Sequence, residues 1–178
     1  LARRTETILE PELPIVDPHH HLWDRPGWRY MLDDLLSDTN SGHNIIATVF
    51  VQCRSMHRAG GPEALRPVGE TEFVNGVAAM SASNTYGPIR ACAGIVGTAN
   101  CTLGEGVNEV LEAHIAAGGG RFRGIRQSAS SDPDPDVLGP LQRQGGGLYL
   151  SDKFREGFAR SGQRIITKYT RWGTVVLA

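Results

Sequence analysis

The sequence predicts an α/β fold in which parallel strands alternate with helices, and three observations carry that reading. Short apolar runs rich in β-branched residues recur along the chain, stretches with helical spacing separate them, and Gly- and Pro-rich loops join the two. The 178 residues are 40% hydrophobic and 21% charged, ordinary composition for one domain with a sizeable core.

The expected strands are 14–21, 44–53, 89–98 and 121–127, with a fifth at 164–169. Between the second and third, 70–83 reads as a helix because Phe73, Val77 and Met80 fall four and three apart. Between the third and fourth, 105–117 carries a stripe of Val107, Val110, Leu111 and Ile115, which Gly118, Gly119 and Gly120 end. A short helix at 152–160 places Phe154 and Phe158 one turn apart. The connections 24–43, 54–69 and 128–147 are long, and long structured loops after strands are where α/β proteins place their chemistry.

Eighteen basic and nineteen acidic side chains give a net charge of -1. Such a balance argues against nucleic acid or an anionic membrane as partner and favours a small, roughly neutral substrate. Cys53, Cys92 and Cys101 have no zinc-ribbon spacing and read as reduced thiols in a cytoplasmic protein. No apolar run approaches the roughly 20 residues that span a bilayer. Arg3 and Arg4 precede no apolar stretch of the kind a signal peptide needs.

The chemistry concentrates in VDPHHHLWD at 16–24. In a strand alternate side chains share a face, so Asp17, His19 and His21 project one way and Val16, Pro18, His20 and Leu22 the other. Two neutral imidazoles side by side at a strand's end are candidate metal ligands. The alternative for a lone His-x-His is a hydrogen-bonding pair, and two ligands fall short of the usual three of a catalytic zinc.

An apolar strand ending in D-x-H-x-H and followed by Leu22, Trp23 and Asp24 resembles the first strand of the amidohydrolase superfamily, in particular its amidohydrolase-2 branch of lactonases and decarboxylases. The resemblance continues through VFVQC at 49–53, ETEFVNGVAAM at 70–80, CAGIVG at 92–97 and FRGIRQ at 122–127. It covers roughly residues 12 to 160. It implies a partial (β/α)8 TIM barrel, with the site at the C-terminal ends of the strands. By the same resemblance His19 and His21 match a metal-ligand pair, with a divalent ion such as zinc as cofactor, although some members keep the pair for substrate without metal. Gln52 matches a polar rim position, whose alternative is an amide satisfied by neighbouring backbone. Arg126 matches an arginine that faces substrate, where its fork of donors pairs a carboxylate or polarises a carbonyl. Gln127 stands where relatives often have histidine. Trp23 is expected over the barrel mouth or against substrate.

His43 and His57 are expected to be solvated and His114 to be a packed helix residue; Glu70 could reach the site from its loop, but a glutamate at a helix start is explained by the helix dipole and capping.

A whole barrel of this kind needs about 250 residues, and this chain ends as its fifth strand begins. After Gln163 there is neither histidine nor aspartate to supply the superfamily's later ligands and base. The expectation is one truncated amidohydrolase-like domain over 1–178, whose last residues, 164–178, read as foreign sequence. Two functions follow: hydrolysis of a lactone or related cyclic ester or amide by metal-activated or base-activated water, or a catalytically inactive half-barrel. Either is compatible with a homo-oligomer.

Overall fold

The computed structural model describes residues 7–138, 147–162, 167–169 and 174–177. Its elements in chain order are β1 (Ile15–His20), β2 (Trp23–Arg25), β3 (Trp28–Tyr30), α1 (Leu32–Thr39), β4 (Ile45–Val51), α2 (Val68–Ala82), β5 (Arg90–Gly97), α3 (Val107–Ala117), β6 (Phe122–Ser128), α4 (Pro135–Leu138), α5 (Asp152–Gly162), β7 (Thr167–Tyr169) and β8 (Thr174–Leu177). The four expected strands pair in parallel in the order β1-β4-β5-β6, forming a curled half-barrel sheet with helices packed against it. No helix among the described residues is long and apolar enough to cross a membrane.

The helices bury most, but not all, of the residues that the spacing selected. On α2 Val74, Val77 and Ala78 enter the core, while Met80 is exposed and Phe73 packs at its margin. On α3 Val107, Val110 and Leu111 are buried as expected, but Ile115 is exposed and His114 takes the inner position. The His114 ring stacks on Phe122 at 5.1 Å. Its Nε2–H donates to the Thr98 carbonyl at 3.0 Å, and its Nδ1 accepts from the Thr71 hydroxyl at 2.8 Å. With both ring nitrogens paired, an imidazole is a better core residue here than its polarity suggests. Past α3 the chain reverses through Gly119 and Gly120, whose φ values of 54° and 81° favour glycine.

Two departures concern connections. The expected loop 24–43 holds the β2–β3 hairpin and α1. The hairpin turns on Pro26-Gly27, and α1 begins where the Asp34 carboxylate accepts the Met31 N–H at 2.8 Å. Leu32 and Leu35 then bury one face of α1 in the same core as Leu22, Phe50 and Ile95. At the other end of the sheet, β8 pairs antiparallel with β6, and β7 pairs antiparallel with β8. Residues 167–169 of the expected fifth strand therefore form the outermost strand instead of the next parallel one, and 164–166 lie outside the described residues. Only four residues separate β7 from β8, which permits an antiparallel return, whereas a parallel neighbour needs a crossover of a dozen or more.

Among the described residues β1 and β7 are the outermost strands, so the sheet does not close on itself. Unpaired edges offer backbone donors and acceptors to another chain. Self-association is the expected result in size-exclusion chromatography with light scattering, rising with protein concentration. A compact monomer at all concentrations would overturn it.

Candidate functional site at the strand ends

The last residues of β1 and β4 build the site. Register shifts interrupt the β1·β4 pairing between Asp17 and His20. His20 and Leu22 point into the core, leaving Asp17, His19 and His21 on the more open side. The Asp17 carboxylate accepts the His19 backbone N–H at 3.0 Å. The His19 and His21 rings stand edge to face, 4.9 Å apart. The His21 Nδ1–H donates to the Val51 carbonyl at 2.7 Å, which sets the tautomer and leaves Nε2 with its lone pair.

Burial holds the His19 pKa below the ordinary histidine value, reinforced by His21 and Arg126 and opposed by Asp17. Burial likewise lowers that of His21; its bond to Val51 opposes the shift, Arg126 adds to it, and Glu70 opposes it. Both rings are thus held toward the neutral form, the one that can accept a proton or bind a metal.

Arg126, on β6, comes to the same rim. Its Nη2 donates to the Gln52 backbone carbonyl. The Gln52 N–H in turn donates to Val96 at 2.8 Å. Gln52 therefore serves the site through its backbone. Its buried side-chain Oε1 has no hydrogen-bond partner among the described residues, so the reading of an amide satisfied by neighbouring backbone does not hold for that atom. Gln127 braces the neighbouring loop, since its Oε1 accepts the Cys101 N–H at 2.8 Å and its Nε2 donates to Asn100.

An open pocket of about 460 Å³ runs beside β1, lined by Asp17, His19, His21, Trp23, Trp28 and Tyr30 among others. Gln52 and Arg126 do not line it. Trp23 packs between the His21 ring at 5.2 Å and Trp28 at 4.3 Å, and the Arg25 guanidinium lies 5.6 Å from its ring centre. Sequence spacing did not single out Trp28 and Tyr30. The Pro26-Gly27 pair was the signal for them, since it marks a tight reversal that lays the two aromatic arms together.

Among the described residues no group of three or more His, Cys, Asp or Glu side chains is placed to hold a metal ion. His19 and His21 offer two nitrogens, short of the three protein ligands a catalytic zinc takes. His43 is exposed, as expected. His57 is only partly exposed, with its Nε2 3.8 Å from the Glu70 carboxylate. Glu70 departs furthest from expectation. It lies in the first turn of α2 but is 1% exposed, and its Oε1 accepts the Cys53 N–H at 2.9 Å and the Ser55 N–H at 2.8 Å. The helix dipole alone does not account for that.

Comparison with family models, with curated proteins and with solved structures gave no match, so the function is read from this geometry.

Proposed function

We propose that this chain is a carbonyl hydrolase of the amidohydrolase-2 kind, acting on a lactone or related cyclic ester or amide with water activated by a neutral histidine. The observation that carries the reading is His21: its Nδ1–H is fixed on the Val51 carbonyl and its Nε2 is left as an acceptor. A base oriented by a second group in this way is the working unit of hydrolytic sites.

His21 Nε2 takes a proton from water as the water oxygen bonds to the carbonyl carbon. The carbonyl π electrons move to oxygen, where free N–H donors of Arg126 stabilise the charge. As the tetrahedral centre collapses, the ring C–O or C–N bond breaks. The proton on His21 passes to the departing oxygen or nitrogen. The ring-opened acid then gives up its remaining water-derived proton to solvent, and the same guanidinium can pair the resulting carboxylate. His19 orients the ring. The zinc implied by the resemblance does not fit the ligands found among the described residues, and this chemistry uses protein groups alone. The three cysteines, none in a disulfide among the described residues, suit a reducing compartment such as the cytoplasm.

The second reading, an inactive half-barrel, is favoured by that same ligand count. One experiment separates the two. The protein is loaded with zinc or manganese and dialysed, retained metal is measured, and a panel of lactones is assayed beside the His19→Ala variant. The expected result is metal retention well below one ion per chain, with metal-independent lactone turnover that falls in the variant. Absence of turnover across the panel would favour the inactive reading. Retention near one ion per chain would overturn the metal-free mechanism.

A further inference from the structure

The three residues 51–53 at the end of β4 tie the site together through consecutive backbone groups. The Val51 carbonyl accepts from His21. The Gln52 N–H reaches Val96 on β5. One peptide group, between Gln52 and Cys53, then joins opposite charges: its carbonyl accepts from the Arg126 guanidinium, and its N–H donates to the Glu70 carboxylate. A peptide group held between a cation on its oxygen and an anion on its N–H is polarised in one direction, and each bond strengthens the other.

The loop that follows would not hold this shape unaided. Arg54 and Met56 have φ values of 65° and 52°, a region costly for residues other than glycine. Gly69 lets the loop lie against the start of α2, since a Cβ there would stand 2.6 Å from the Met56 carbonyl oxygen. The second bond to Glu70 Oε1, from the Ser55 N–H, sits between those two strained residues. Glu70 Oε2 is buried without a hydrogen-bond partner among the described residues. A buried carboxylate oxygen left open is expensive unless nearby positive charge compensates it. The His57 Nε2 stands 3.8 Å from that oxygen, and the Arg126 guanidinium holds the other end of the same peptide.

We infer that Glu70 is a positioning residue for Arg126, acting through the Gln52–Cys53 peptide, and that its charge makes the site selective for an uncharged carbonyl substrate over a carboxylate. With the carboxylate nearby, Arg126 can polarise a neutral ring carbonyl yet holds the ring-opened acid weakly, which favours product release. The selectivity rests on the proposed hydrolase function, whereas the positioning does not.

The test uses the full chain, with Glu70→Gln and Glu70→Ala variants, and two readouts. The first is amide hydrogen exchange at Cys53 and Ser55. The second is affinity for 5-hydroxypentanoate, the ring-opened form of δ-valerolactone. Glutamine keeps an oxygen for both N–H groups but removes the charge. Its amides should stay protected, while the carboxylate probe binds about fivefold more tightly. Alanine removes both. The two amides should then exchange at least about tenfold faster, and the probe should bind more weakly than to the unaltered protein because Arg126 loses its support. Unchanged probe affinity in Glu70→Gln, or no binding to any form, would overturn the selectivity. Unchanged exchange in Glu70→Ala would overturn the positioning. If both readouts shift as expected while no lactone is turned over, Glu70 keeps its place and the hydrolase function falls.

Discussion

Lowering the pH from 6.5 to 4 should destabilise this protein by several kcal/mol, and His114→Ala should both weaken the fold and flatten that dependence. His114 is fully buried and His20 nearly so, and burial is the first cause that lowers each pKa to about 4 from 6.5. A histidine whose folded pKa is depressed binds fewer protons folded than unfolded between those values. Its contribution is therefore complete above pH 6.5 and is lost as pH falls toward 4. A shift of this size corresponds to about 3 kcal/mol for each ring at neutral pH. The substitution itself removes partners from the Thr71 hydroxyl and the Thr98 carbonyl and leaves a void against Phe122. That change should cost about 3 kcal/mol at pH 7.5. Urea unfolding of the protein and the variant at pH 7.5, 6 and 5 checks both statements. Parallel pH dependences for the two proteins would show that His114 is not one of the groups responsible.

His21→Ala should lower kcat/KM for a lactone by about 10²- to 10⁴-fold, the usual range for removing a general base. Its stability should change far less, because the ring is only partly buried and its hydrogen bond is to the Val51 carbonyl at a strand end. The pH profile gives the stricter check. The base must be neutral, and burial holds the His21 pKa below 6.5. Turnover should be level through neutral pH and fall only on the acid side of the ordinary histidine range. A rate that still rises between pH 7 and 9 would point to a different base, and a small loss in the variant would remove His21 from the chemistry.

Arg126 was singled out through the family resemblance; the four parallel strands, the main helices between them and the pairing of His19 with His21 on one face were legible in the residues alone. Each depends on local pattern: β-branched apolar runs, helical spacing, and alternation that puts His19 and His21 on one face. What escaped depended on contacts between segments distant in sequence. His114 is the packed helix residue it was expected to be, but its partners Thr71 and Thr98, which satisfy both nitrogens and let it lie deeper than Ile115, were not readable. Helix polarity seemed sufficient for Glu70, yet its partners are the N–H groups of Cys53 and Ser55, brought to it by the return of the chain after β4. The pairing of β8 between β6 and β7 was equally out of reach, since strand composition does not state which neighbour a strand will meet. Sequence by itself therefore determined the α/β class, the strands and the His19–His21 pair, because these follow from periodicity and side-chain chemistry. Only the tertiary structure decided which buried polar groups find partners and how Glu70, the Gln52–Cys53 peptide and Arg126 join into one site, because a hydrogen bond requires two groups to meet and the chain's path sets that meeting.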